Sequence, residues 1–394
     1  MRWRVTLLAG VAALAIGGCG GGGTPSASRG SSVVRVSYDG TTCAPGWSAL
    51  KPGGYDFVLQ NRASDAIAMT LLNASDGSAV SPTKPVTPGG RASIQIQLRA
   101  GGSYAWRCQT PSQAAATSVA IRIAGRGSAD TGYAPAPMSI VQLYKPMTEY
   151  TKHETRTLAK LRGQLATLQH RLADGAMAGA KSVWLAAHLS WLALGQDDGA
   201  YGAFGSLGNR IDGTAAADLG TTSSPSFTGF HRVELDLWHN HDLTAARTDA
   251  GRLTKLVDSI NQRMLSQDLP DTTVALDSWV LRCHEILEDG LRDTLTGNDD
   301  YGSHTGLATV GADVTATREM LRVLAGLIQP RRPGLVQTAE RQLITLDAAI
   351  RPRRTVPIAE LPTLKRQRID AAIGAALETL APVSELMQIS SANS

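Results

Sequence analysis

The stretch Leu158-Ala159-Lys160-Leu161-Arg162-Gly163-Gln164-Leu165-Ala166-Thr167-Leu168-Gln169-His170-Arg171-Leu172 sets its leucines at steps of 3, 4, 3 and 4. A helix turns once in about 3.6 residues, so the five leucines share one face and need an apolar partner. Leu253, Leu256, Ile260 and Met264 step by 3, 4 and 4, and similar stripes occupy 183–194, 276–291, 314–328, 335–350 and 369–387. Breaks fall at 195–213, Pro270, 297–306, 330–333 and 351–362. About seven or eight amphipathic helices predict an all-α bundle, or a pair of bundles, over residues 146–390.

Upstream the period changes to two. Ile94, Ile96 and Leu98 alternate with Ser93, Gln95 and Gln97, as a strand with one buried face requires. Short runs at 33–38, 55–61, 66–73, 92–98, 104–108 and 118–124 are separated by turn signals such as Pro52-Gly53-Gly54 and Pro88-Gly89-Gly90. Such spacing predicts a small β-sandwich over 33–124, with a linker at 125–145. The expected fold class is therefore α+β multidomain, a small sandwich followed by a helical bundle. The 394 residues are 43% hydrophobic and 18% charged, enough to bury cores of this size. A net charge of +4 gives no electrostatic reason to expect a nucleic-acid partner.

Arg2 and Arg4 precede an uncharged run at 5–18, too short to span a bilayer and of the length of a signal peptide. Ile16-Gly17-Gly18-Cys19 resembles the bacterial lipobox, which implies cleavage after residue 18, lipid on Cys19 and a flexible Gly/Ser-rich tether at 19–32. Export to an oxidising compartment favours pairing of Cys43 with Cys108, a two-thiolate metal site being the alternative. Cys283 falls on the stripe Leu276, Val280, Cys283, Leu287, where a thiol acts as a small hydrophobe.

All eight histidines follow residue 150, so a blue-copper centre in the sandwich is excluded by count. The densest polar cluster is Gly229-Phe230-His231-Arg232-Val233-Glu234-Leu235-Asp236-Leu237-Trp238-His239-Asn240-His241-Asp242. His231 and Glu234 lie three apart on one helix face, the spacing at which imidazole and carboxylate share a metal, or simply bond each other. His284, Glu285, Glu288 and Asp289 form a second cluster that reads as an exposed charged face, and His304 reads as a loop or cap residue. Neither zinc-protease pattern occurs, nor a G-x-S-x-G, P-loop or dinucleotide fingerprint.

Thr228-Gly229-Phe230-His231-Arg232-Val233-Glu234, with Leu237-Trp238 behind it, resembles the G-x-H-x-x-E signature of imelysin-type proteins, and Ser303-His304-Thr305 falls where that family often has Ser-His-Thr. The order of lipid anchor, small cupredoxin-like sandwich and helical domain resembles EfeO-type components of bacterial Efe iron-uptake systems. The helical resemblance covers about 140–390; that of the sandwich rests on 39–45 and 104–108. It implies an exported, lipid-anchored protein of the cell envelope that binds iron and hands it to a membrane partner, and that is no enzyme. The ligands it implies are His231 and Glu234, with carboxylates from two further segments. An E-x-x-E-P stretch falls on Gly195-Gln196-Asp197-Asp198-Gly199, leaving Asp198 as its counterpart, with Asp197 beside it. A D-L-W-D stretch falls on Gly306-Leu307-Ala308-Thr309, where both Asp are missing, so that His304 becomes a candidate instead. A shell of His231, Glu234, Asp198 and His304 suits iron, and also zinc or another divalent cation. The other readings are an interaction lipoprotein with a degenerate metal site and, further off, a metal-dependent peptidase.

Overall fold

A computed structural model describes residues 32–389 apart from 49, 112, 128–133, 136, 137, 139, 196–203, 216–220 and 267–271. Cys19, Asp197 and Asp198 lie outside the described residues, as do the signal segment and nearly all of the tether. The β region comprises β1 (Ser32–Tyr38), β2 (Gly53–Asn61), β3 (Ile67–Asn73), β4 (Ser78–Ala79), β5 (Lys84–Val86), β6 (Arg91–Leu98), β7 (Ser103–Gln109), β8 (Ala116–Thr117), β9 (Ile121–Arg122) and β10 (Ala134–Pro135). One sheet has the order β1-β2-β6, with β1 parallel to β2 and β2 antiparallel to β6. The other runs β10-β4-β3-β7-β8, with β5 beside β3 and β9 beside β7.

Alternation holds in β6, where Ile94, Ile96 and Leu98 face the core. Between the sheets Phe57, Trp47 and Trp106 pack edge to face or tilted, with ring centroids 5.3–6.2 Å apart. Cys43 and Cys108 are joined by a disulfide with Cα atoms 5.5 Å apart. β3 departs from the one-buried-face pattern, being buried along its whole length, and so does β7 from Tyr104 onward. Tyr104, Trp106 and Cys108 point into the sandwich, whereas Arg107 points to the opposite face of β7.

The helical region comprises α1 (Val141–Ala173), α2 (Met177–Leu192), α3 (Ser206–Asp212), α4 (Gly229–Trp238), α5 (Leu243–Ser266), α6 (Thr272–Asp289), α7 (Gly306–Arg331), α8 (Leu335–Ile350), α9 (Thr363–Leu380) and α10 (Pro382–Leu386). α1 begins inside the stretch read as linker and carries Pro146 in its second turn, where the missing N–H removes a single backbone bond near the helix start. The 195–213 break contains the short helix α3.

Two cores result. Leu158, Leu161, Leu165, Leu168 and Leu172 pack with α2, α3, α4 and α5; Leu143 and Tyr150, nearer the start of α1, pack with α6 to α10. α1 is about 50 Å long at 1.5 Å per residue and so runs through both. Cys283 is buried in the second core as a free thiol, and burial pushes it up to about 12, so it stays protonated. Among the described residues no helix is long and apolar enough to cross a membrane.

Candidate metal centre

The site begins with a glycine. Gly229 opens α4 at φ +83°, and a Cβ there would stand 2.0 Å from the carbonyl oxygen of Ile211. Only glycine permits that approach of the α4 start to the α3 end. The Thr228 hydroxyl donates to the Arg210 carbonyl at 2.7 Å, tying the same two ends together. Asp212, the last residue of α3, is thereby brought beside His231, two residues into α4.

His188 of α2 completes the group. Its Nε2 lies 2.9 Å from Asp212 Oδ1, and His231 Nε2 lies 3.5 Å from the same oxygen. One ligand atom from each of His188, Asp212 and His231 falls within 4.8 Å of the others. Asp212 Oδ1 and His188 Nδ1 are buried without an aligned hydrogen bond. A carboxylate oxygen in that state, between two imidazoles, fits a cation: two nitrogens and an oxygen are a borderline donor set that suits iron, zinc or a similar ion.

Glu234 stands behind this group. Its Oε2 lies 3.0 Å from His231 Nδ1, while its Oε1 accepts from the backbone N–H groups of Tyr301 at 3.1 Å and Ser303 at 2.9 Å. With Nδ1 donating to the carboxylate, Nε2 is left to face Asp212. Burial pushes the His231 imidazolium down, but the Glu234 hydrogen bond and the charges of Asp212, Glu234 and Asp299 outweigh it and hold the ring up at about 9. Burial also pushes the Asp212 carboxyl up, and the two histidines more than reverse this, so it lies below its usual range.

A cavity of about 190 Å³ opens on the group and is lined by His188, Asp212, His231, Asp299 and Asp313 among others. Asp289 and Asp293 also line it, but arginines already compensate them: Arg282 Nη1 is 2.8 Å from Asp289, and Arg292 reaches Asp289 at 2.9 Å and Asp293 at 2.7 Å. Asp299 accepts from Thr294 Oγ1 at 2.6 Å, and burial raises its pKa. The Tyr301 ring packs on His231 at 5.3 Å and on Phe227 at 4.9 Å, closing one side.

Of the residues singled out from sequence, His231 and Glu234 come together. His304 does not join the three: it is exposed, sits in the left-handed region at φ +57° and pairs with Asp300 at 2.8 Å. Asp198 lies outside the described residues. His284, Glu285 and Glu288 lie close together on α6, partly exposed. Sequence reasoning missed His188 and Asp212. For His188 the signal was a histidine between Trp184 and Trp191 in a run whose buried side is otherwise apolar apart from Ser190; for Asp212 there was none, since it ends a helix read as a break.

No family model matches the chain. It is similar to iron uptake system components named EfeO. That of Yersinia pestis is 21% identical over 322 residues, covering 82% of this chain and 81% of the relative. That of Escherichia coli is 22% identical over 326 residues, with the same shares. The matched length exceeds that of either region alone, so the likeness to EfeO extends over both.

Proposed function

We propose that this protein is an envelope component of an iron-uptake system that binds a metal cation, iron in the first instance, and presents it to a membrane partner without catalysing a reaction. The observation that carries the reading is the convergence of His188, Asp212 and His231 on one cavity, with the far side of His231 held by Glu234. His188 Nε2, His231 Nε2 and an Asp212 oxygen are the ligands; Glu234 orients His231 and keeps it basic rather than binding the ion itself. Iron is cargo, so an incomplete shell with room for water or a chelator's oxygen favours release as well as capture. Proton and cation compete for the same imidazole nitrogens, so loading displaces protons.

The similarity to EfeO over most of the chain supports membership of such a system; the cupredoxin-like reading of the sandwich and the imelysin-like reading of the bundle rest on the sequence motifs at 39–45, 104–108, 228–238 and 303–305. Attachment through lipid on Cys19 to the outer face of the cell membrane agrees with the lipobox-like sequence. The interaction-protein reading has one observation in its favour: both Glu234 oxygens are satisfied by the protein, as they would be in a purely structural cluster. Metal content separates the two. After loading with ferrous or ferric iron and removal of excess, the wild type should retain about one ion per chain and Asp212→Asn should lose most of it. Equal, negligible content in both proteins would leave the cluster structural.

A further inference from the structure

The positive charge of the chain is gathered where α8 gives way to α9. Residues 351–368 carry Arg351, Arg353, Arg354, Lys365, Arg366 and Arg368 against a single acid, Glu360, a net +5 where the whole chain has +4. The remainder of the protein is therefore slightly acidic. Asp347, near the end of α8, neutralises two of the six: it accepts from Arg351 and, at 2.9 Å, from Arg354. The other four have no acidic partner among the described residues. Arg353 donates to the Ala349 carbonyl at 3.1 Å and Arg366 to the Ile358 carbonyl at 2.9 Å, while Lys365 and Arg368 hold no group of the protein.

The segment is firmly placed. Leu361 is buried in the second core, and Ile358 lies so close to the start of α7 that a Cβ on Gly306 would stand 2.7 Å from it. Arg354 covers Gly311 of the same helix at an equal distance. α9 turns Ile369, Ala372, Ile373, Ala376 and Leu380 to the core, which leaves Leu364 and Arg368, one turn apart, on its outer face. Leu364 is 69% exposed. A lone exposed leucine is ordinary, but one set among uncompensated cations has the make-up of a surface that rests on an anionic bilayer. There the apolar group enters the headgroup boundary and the cations stay among the phosphates.

We infer that this face, the start of α9 with the turn that follows α8, docks the helical region on an anionic phospholipid surface. Its free cations are spread over a helix start and a turn, which suits a mobile array of lipid phosphates better than the fixed carboxylates of one protein partner. Lipid on Cys19, as proposed above, would keep the chain near such a surface, but a tether limits distance and leaves orientation to the folded part. α7, against whose start the segment packs, supplies Thr309 and Asp313 to the cavity of the metal centre, so docking brings that end of the helical region to the bilayer. This last consequence rests on the proposed function; the docking itself rests on charge and exposure alone.

The test is vesicle flotation of the mature chain from residue 19 onward, produced without acylation so that no anchor contributes. At low salt the wild type should float with vesicles of phosphatidylglycerol and phosphatidylcholine and stay behind with phosphatidylcholine alone. At about 0.5 M salt, where charges are screened within a few ångströms, most of the binding should be lost. The double change Lys365→Gln, Arg368→Gln removes charges that hold nothing in the protein, so the fold stays intact while affinity for the anionic vesicles falls roughly 20- to 30-fold. Leu364→Ser should weaken binding severalfold with the salt dependence unchanged. Asp212→Asn should float like the wild type, which separates this face from the metal centre. Equal binding to neutral and anionic vesicles, an unweakened double variant, or release by inorganic phosphate at matched ionic strength each overturns the inference. So does a Leu364→Ser protein that floats like the wild type, the result expected of a basic face shaped for an acidic protein.

Discussion

At the scale of single residues, two buried glutamates show how environment sets role. Glu234 is surrounded by donors and serves as an anchor for His231. Glu154, on the buried stripe of α1 between Tyr150 and Leu158, has no compensating charge among the described residues, and burial raises it to about 8. Its folded pKa lies above the ordinary value of 4.5, so the folded state holds a proton that the unfolded state has lost. The contribution to stability is intact below about pH 4.5, declines by up to about 1.4 kcal/mol per pH unit and levels off above about pH 8. Glu154→Gln should therefore match the wild type in urea unfolding near pH 4 and exceed it by a few kcal/mol at pH 8 to 9 (roughly). Parallel stability curves across that range would contradict this account of Glu154.

At the scale of elements, the site depends on how closely α3 and α4 approach. The Gly229-to-Glu234 segment was legible in the sequence because its spacing is local: a helix face brings His231 and Glu234 together whatever surrounds it. The other two proposed ligands, His188 and Asp212, belong to separate helices, and no periodicity shows that the end of α3 meets the start of α4. The glycine makes that meeting possible. Gly229→Ala adds a Cβ against backbone oxygen at a left-handed position, so it should destabilise the protein by about 2 to 4 kcal/mol. It should also weaken cation binding, by parting Asp212 from His231 while leaving every ligand chemically intact. A thermal melt and a metal titration of the variant test both effects, and wild-type values in both would mean that the close approach does not matter. Pro146 teaches the converse lesson: the sequence opens the helical region at residue 146, yet α1 starts at Val141 and absorbs the proline in its second turn.

At the scale of the whole molecule, the division into a β region and a helical region was legible because the period changes from two to 3.6 within one chain. That β3 and β7 are buried on both faces was not, since nothing in the alternation of either strand marks a second covered face. The disulfide closes a loop across 65 residues of the sandwich. In the chain-entropy model it stabilises that region by roughly 4 kcal/mol, so the double change Cys43→Ala, Cys108→Ala should lower the denaturation midpoint of the β region. An unchanged midpoint would mean that the packing of Trp47, Phe57 and Trp106 suffices. The helical region holds the central claim, that His188, Asp212 and His231 together bind a cation. X-ray absorption at the iron edge of the loaded full-length protein counts imidazole ligands directly. The account predicts a two-imidazole signature in the wild type and a single imidazole in His188→Gln; identical spectra for the two proteins, or a wild-type shell of oxygen alone, would contradict it.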